Sequence, residues 1–392
     1  MTEAYTPVVV LGGGITTLGV IRILARAGIP AFVLPEGAEF VRYSRHYRRV
    51  PAPPGGPDPT HDLPGWLERL PFTRAVLMPC SDHWVQRVAG LDPSVAVRFP
   101  ASVSSAATLA RIVDKTAFAE LTAAAGVPHP ETWAIERAAD LDAVPDQAFA
   151  SAFLKPRDSQ TFFAKFGAKA FRVASRQDAH ERFRLIEPSG LKVQLQVYVQ
   201  GPPTEHYFID GFSDASTRIR ALFARQRLRM YPPDFGNSTY MRSVPLDDVA
   251  DAVESVRRLV AALQFRGVFS CEFKRDARDG RFRVIEMNPR PWWYVRFAAR
   301  SGVDVCTMAY HDALGEPVPE VREYQIGRGC VYPYYDYFAV RHAGGGTLWL
   351  DWLWAAASAD QPVFEIADPL PALRETFFTL RRRFRRGREG QA

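Results

Sequence analysis

The sequence predicts an α/β domain followed by a larger α+β region. In the first hundred or so residues, short apolar runs alternate with amphipathic helix-like stretches, the pattern of a parallel sheet wrapped by helices. From Trp133 to about Tyr310 the pattern changes to strands with hairpin punctuation and interleaved helices, which is α+β. At 392 residues the chain has room for two or three domains, and a hydrophobic content of 47% is ample for their cores.

In the first domain "PVVVLGG", "PAFVLPE" and "RAVLMPCSD" read as strands and "GVIRILARAG" and "GWLERL" as helices, with a Pro-rich loop at Pro51 to Pro64. Residues 1–107 are therefore expected to be Rossmann-like. One helix is expected from Thr108, because "TLARIVDKTAFAELTAAAG" keeps apolar residues at helical spacing and ends on Gly126 ahead of Pro128 and Pro130. The strands that follow are "AFLKP", "KAFRVAS", "LKVQLQVYV", "EHYFIDGFS", "RIRALFARQRLR", "VFSCEFKRD" and "RFRVIEMN", with helices at "QDAHERFRLIE" and "DDVADAVESVRRLVAALQF". Residues 321–392 form an aromatic-rich extension without clear periodicity, apart from a closing basic helix, "LPALRETFFTLRRRFRR".

The net charge is +6, but six arginines lie between Arg381 and Arg388, and the body without them is close to neutral. That balance suits small-molecule chemistry better than specific nucleic-acid binding. Four cysteines stand far apart with no Cys-x-x-Cys pair, so neither a zinc site nor a disulfide framework is expected and a reducing cytoplasm is the simplest compartment. "MTEAYTP" lacks the start of a signal peptide, and "TLWLDWLWAAASA", interrupted by Asp351, falls short of the ~20 residues of a membrane-spanning helix. Terminal charge runs are usually solvated. This one is also amphipathic enough to attract anionic lipid or an anionic polymer precursor, which leaves peripheral membrane contact open.

"VVVLGGGITTLG" is the first stretch that looks like a site. Gly12, Gly14 and Thr17 give G-x-G-x-x-T, one glycine short of the dinucleotide fingerprint, while Glu36 ends the next strand where an acid would hold a ribose hydroxyl. An NAD(P)-dependent oxidoreductase is thus one alternative. The plainer reading is a strand-to-helix turn whose N–H groups point above the sheet.

The stretch "FSCEFKRDARDGRFRVIEMNPRPWW" speaks more strongly. Two strands joined by a charged turn at Arg278 to Gly280 would put Glu272 and Glu286 on neighbouring strands, with Asn288 on the same face. Oxygen donors of this kind suit hard cations such as Mg²⁺ that also grip nucleotide phosphates. The competing reading is a solvated hairpin.

These residues resemble the ATP-grasp superfamily over roughly 108–315, behind the Rossmann-like domain that usually precedes it. "VIEMNPR" looks like its metal signature, which implies Glu272, Glu286 and Asn288 as ligands of one or two Mg²⁺, with Mn²⁺ as a substitute. The resemblance implies a two-lobed domain over 108–320, with a smaller lobe at about 130–200 and a metal-binding lobe at about 201–320. It also implies ATP held by Lys115 in "DKTAFAELTAAAGVPHPET" and by Lys155 in "AFLKPRD". "RDSQTFFAKFGAKAFRV" departs from the common glycine-rich loop and looks like the D-aspartate ligase-like branch, with Lys169 as a further basic residue. In "QLQVYVQGPPTEHYFIDGF", Gln196 and the backbone of Val197, Tyr198 and Val199 take the hinge position that meets adenine. Glu205 is the ribose candidate, or else an exposed acid after a Pro-Pro turn.

The implied reaction is activation of a small-molecule carboxylate as an acyl phosphate, followed by amide formation with an amine. Arg290 would stabilise the transferring phosphoryl charge, unless it is a surface residue. Trp292, Trp293 and Arg296 are substrate candidates, with core filling the alternative for the tryptophans. Gly13 and Gly14 would form a close-approach loop facing the ATP lobe. Arg225, Arg227 and Arg229 alternate along one strand face, either to meet an anion or as a solvated face. A non-catalytic nucleotide-binding regulator is the remaining alternative.

Overall fold

A computed structural model describes residues 5–34, 40–156, 162, 165–168, 170–233 and 236–376. Glu36, Lys169 and the arginines of 381–388 lie outside the described residues. Strands β1 (Val8–Leu11), β2 (Ala31–Val33) and β3 (Val76–Pro79) form a parallel sheet in the order β2-β1-β3. β1 is apolar throughout because both of its faces are covered: Val8 and Val10 enter one core, Val9 and Leu11 another. The helix Gly14–Arg26 follows at once and packs on the helix Val295–Arg300. The contact is close at Gly19, where a Cβ would come within 3.2 Å of the Val295 side chain.

The expected single helix from Thr108 is in fact two, Ala106–Val113 and Lys115–Ala124. Asp114 takes an extended conformation between them and its carboxylate accepts hydrogen bonds from the N–H groups of Thr116 and Ala117. Its capping strength outweighs the apolar periodicity that runs through it. The break makes Lys115 the first residue of a helix.

Two antiparallel sheets follow. The smaller has strands β4 (Thr132–Ile135), β5 (Ala152–Pro156), β6 (Phe171–Val173) and β7 (Val193–Val197) in the order β4-β7-β5-β6. The helix Arg176–Ile186 covers one of its faces through Phe183 and Ile186, which pack with Leu154 and Leu195. The larger contains β8 (His206–Ser213), β9 (Ile219–Tyr231), β10 (Asn237–Ser243), β11 (Gly267–Arg275), β12 (Phe282–Asn288) and β13 (Gly329–Val331), in the order β12-β11-β8-β9-β10-β13. The helix Ala250–Leu263 buries Val256, Leu259 and Leu263 against Ile209, Phe269 and Phe273 on one face.

The extension expected to lack periodicity contains the helices Pro333–His342 and Leu348–Ser358, and β13 pairs with β10 as an edge of the larger sheet. The aromatic composition hid these elements because Tyr and Trp serve helix and strand alike. No helix among the described residues is long and apolar enough to cross a membrane.

A buried ionic strap ties the extension to the first domain. The Arg22 guanidinium donates to Asp368 Oδ2 at 3.0 Å and to the carbonyls of Val363 and Asp368 at 2.8 and 2.9 Å. Ser44 Oγ and the Arg45 N–H complete the Asp368 carboxylate at 2.6 and 2.9 Å. Burial opposes ionisation of Asp368, but the Ser44, Arg45 and Arg22 hydrogen bonds outweigh it and hold its pKa below the ordinary value. Such a carboxylate stabilises the fold above the unfolded pKa of ~3.9 and loses that contribution as pH falls through its folded pKa.

Asp368→Ala should therefore lower the unfolding free energy at pH 7 by about 3 kcal/mol, since Arg22 is left buried without its main partner. In urea titrations the gap between wild type and variant should be full at pH 7 and narrow as pH drops below ~3.9. Equal stabilities at pH 7 would show that the strap contributes nothing.

Candidate active site in the cleft between the two sheets

The β11–β12 hairpin builds the acidic part of the site. Its turn closes through Gly280 N–H donating to the Asp276 carbonyl at 2.7 Å, with Gly280 at φ +71°. Asp276 is fully buried and pairs with Arg278 and Arg283 at 2.6 and 2.9 Å. The resulting register sets Glu272 opposite Glu286 and Ser270 opposite Asn288, so all four share one face of the sheet. Asn288 Nδ2 donates to Glu286 Oε1 at 3.0 Å.

Neighbouring strands bring cations to the same face. The arginines of β9 are not a solvated row: Arg225 and Arg227 are buried, and each pairs with an acid. Arg225 meets Asp210 at 2.6 Å, Arg227 meets Glu272 at 3.0 Å and Arg229 meets Asp336 at 2.6 Å. Glu272 Oε1 also lies 2.8 Å from His206 Nδ1. Burial opposes ionisation of Glu272, but Arg227, His206 and Lys155 together hold its pKa down to about 2. Burial depresses the His206 pKa despite Glu272, so a neutral imidazole donating its Nδ1–H fits this contact.

Across the cleft stands the smaller sheet. One cavity of about 430 Å³ has Lys155, Gln196, Val197, Tyr198 and Val199 on one wall and Glu272, Glu286 and Asn288 on the other. A second, of about 480 Å³, adds Lys115 and shares Lys155, Gln196, Glu286 and Asn288 with the first. Lys115 Nζ donates to the Pro156 carbonyl at 2.6 Å, and Gln196 Nε2 donates to Thr132 Oγ1 at 3.1 Å.

Several expected roles are narrowed or corrected. The N–H groups of Val197 and Tyr198 already donate to the carbonyls of Glu131 and Ser151 at 2.9 and 2.8 Å, which limits the hinge donors to Val199. Glu205 accepts from Arg275 Nε at 2.6 Å and lines neither cavity. Arg296 is buried against Glu365 at 2.5 Å, away from the cleft, because the helix it sits on turns that face toward the extension. Gly13, the N-cap of the first helix, and Gly14 also line neither cavity.

The first domain reaches the cleft instead through Asp82, the residue after the Ser81 cap that follows β3. Its carboxylate takes Arg290 Nε and Nη2 at 2.9 and 3.0 Å, while Arg290 Nη2 also lies 3.3 Å from Asn288 Oδ1. Arg290 is thus held beside the acidic face rather than left on the surface. Trp292 and Trp293 line the first cavity, and the buried Trp292 Nε1 has no hydrogen-bond partner among the described residues.

Sequence reasoning missed Asp82, His206 and Lys274. Lys274 Nζ donates to the Tyr198 hydroxyl at 3.0 Å and lies 4.2 Å from that ring's centroid. The period of two was the available signal, since Lys274 stands two residues beyond Glu272.

Among the described residues no three His, Cys, Asp or Glu side chains cluster as a metal site. The donor set of Glu272, Glu286 and Asn288 nevertheless fits a hard cation. Two carboxylates opposed across a ladder repel each other, and the amide oxygen is of the same hard type.

The fold is of the ATP-grasp type, two α+β lobes behind a Rossmann-like domain. The chain aligns with N5-carboxyaminoimidazole synthetase from Staphylococcus aureus at a TM-score of 0.61 and 16% identity, covering 81% of this chain and 80% of that one. It aligns with L-amino acid ligase from Bacillus licheniformis at 0.60 and 16%, covering 84% and 79%. Biotin carboxylase from Campylobacter jejuni, solved as a β-γ-ATP complex, gives 0.62 and 14%, covering 84% and 75%. In sequence the chain is similar to D-aspartate ligase of Enterococcus faecium (strain Aus0004), 18% identical over 247 residues, which are 61% of this chain and 58% of that protein's length. No family model matches the sequence.

Arg227→Met should leave the Glu272 charge buried beside a weakened partner set and cost about 3 kcal/mol at pH 7 by urea unfolding. Adding Glu272→Gln should recover most of that loss. A double variant no better than the single one would contradict the pairing.

Proposed function

We propose that the chain is an ATP-dependent carboxylate–amine ligase that works through an acyl phosphate. The observation that carries this reading is the opposition, across one cleft, of Lys155 and the acidic face of Glu272, Glu286 and Asn288. The D-aspartate ligase it resembles in sequence and the L-amino acid ligase it resembles in fold are both amino-acid ligases by name, which supports the same reaction class. The chain spans only 58% of the former's length, so the activity is our inference.

ATP would lie between the lobes, its adenine near Val199 and its phosphates near Lys115 and Lys155, with Lys169 as a further cation. Glu205 could reach ribose only by giving up Arg275. Glu272, Glu286 and Asn288 would hold one or two Mg²⁺ ions, or Mn²⁺, which supply charge neutralisation of the phosphates.

The substrate carboxylate oxygen attacks the γ-phosphorus, the bond to the β-γ bridging oxygen breaks, and ADP leaves. Amine nitrogen then attacks the acyl carbon, the acyl C–O bond breaks, phosphate leaves and the nitrogen gives up a proton. Arg290, oriented by Asp82, is suited to the oxygens of the transferring phosphoryl group because a guanidinium offers several fixed donors. Trp292 and Trp293 would wall the organic substrate, with the Trp292 N–H available to an acceptor. Partners are thus a small-molecule acid and amine, in a cytoplasmic setting. Neither the nicotinamide reading nor a non-catalytic regulator gains support: Gly13 and Gly14 line neither cavity, whereas Lys115, Lys155, Glu272, Glu286 and Asn288 do.

The test is incubation with ATP, Mg²⁺ and a panel of carboxylates, with hydroxylamine to trap the acyl phosphate. A hydroxamate should form, and Glu286→Gln with Asn288→Ala should reduce it at least ~100-fold. ATP binding that ignores Mg²⁺ and is unchanged by the double substitution would overturn the assignment.

A further inference from the structure

Half of the exposed large apolar side chains among the described residues, seven of fourteen, fall between Leu350 and Leu373. Scattered exposure is ordinary, but concentration in one short segment marks a contact surface. In the helix Leu348–Ser358 only Ala355 is buried, while Leu350, Leu353 and Trp354 share one outward face and are 68, 56 and 73% exposed. The opposite side is the attached one, with Trp352 Nε1 donating to the Pro333 carbonyl at 3.1 Å. Further on, Ile366, Leu370 and Leu373 are 87, 53 and 62% exposed.

The strap of Arg22 and Asp368 lays this second segment beside the distant basic run of residues 41–49. Arg374 stacks 4.4 Å from the Tyr43 ring centroid, and Arg45 Nη1 donates to the Ala367 carbonyl at 3.3 Å. Arg42, Arg45, Arg48 and Arg49 are exposed there. The acids around this second segment are engaged inward, Asp368 by Arg22 and Ser44, Glu365 by Arg296, and Glu375 by the Tyr332 hydroxyl, while Asp351 on the helix Leu348–Ser358 is exposed. The second apolar patch thus has a cationic rim, and six more arginines follow between Arg381 and Arg388.

We propose that these two patches together dock the protein on an anionic lipid surface, with the Leu, Ile and Trp side chains entering the interface and the arginines meeting headgroups. Apolar burial and headgroup attraction act together at such a surface, and Trp favours that boundary. A second copy of the chain is the poorer occupant. A two-fold contact through these patches would set one arginine-rich rim near its twin, and like charges repel.

The test is flotation of the full chain with vesicles of phosphatidylcholine alone or with about 30% phosphatidylglycerol, at two salt concentrations. Partition into the anionic vesicles only, weakened by salt, is expected. The charge-preserving variant Ile366→Ser with Leu370→Ser and Leu373→Ser should bind at least ~10-fold more weakly, as should Leu350→Ser with Trp354→Ser, both with unchanged thermal midpoints. The proposal is overturned by no uptake into anionic vesicles, or by uptake that both serine variants retain. It is equally overturned if the serine variants turn a dimer into a monomer in sedimentation while vesicle uptake stays the same. The readout is partition rather than ligation, so its failure leaves the proposed reaction untouched.

Discussion

The structure turns on two carboxylates that face each other across a ladder. Glu272 and Glu286 occupy paired positions on β11 and β12, where like charges repel, and Glu272 is largely withdrawn from water. A buried anion persists only if fixed cations and donors surround it. His206 supplies them from the adjoining β8 and Arg227 from β9 beyond it, and Lys155 contributes from across the cleft. The two-residue period of the sheet then dictates what else may stand on that face, and polar side chains recur along it from Ser270 to Lys274. The second carboxylate, Glu286, remains open to the cleft.

The acidic hairpin was legible because its information is local. A charged turn between two alternating runs sets the register, and the register alone brings Glu272, Glu286 and Asn288 to one face. The lysines were legible only through resemblance, since Lys115 and Lys155 lie on different elements and no spacing rule joins them. The row of Arg225, Arg227 and Arg229 could be read as alternating, but not as buried. Whether such a row faces water depends on Asp210, Glu272 and Asp336, the last more than 100 residues away.

Long-range partners account for most of the remainder. Nothing near Arg290 in sequence announces Asp82, 208 positions earlier, yet that pair fixes how the first domain meets the cleft. The conspicuous glycines therefore shape the strand-to-helix turn, while the loop after β3 supplies the contact. Arg296 misled for the same reason: it stands four residues past Trp292, but its helix directs it to Glu365 in the extension. The extension itself looked like an appendage and instead supplies β13 to the larger sheet and clamps the first domain through Asp368. Helix breaks obey more local rules, and the Asp114 cap could have been anticipated from its short polar side chain ahead of Lys115.

The most direct measurement is a crystal structure of the chain with Mg²⁺ and a non-hydrolysable ATP analogue. Adenine should lie against the Val197 to Val199 segment and phosphates between Lys155 and the face of Glu272, Glu286 and Asn288, with metal density on those three residues. Nucleotide bound instead above Gly12 to Gly14, with the acidic face bare of metal, would contradict it.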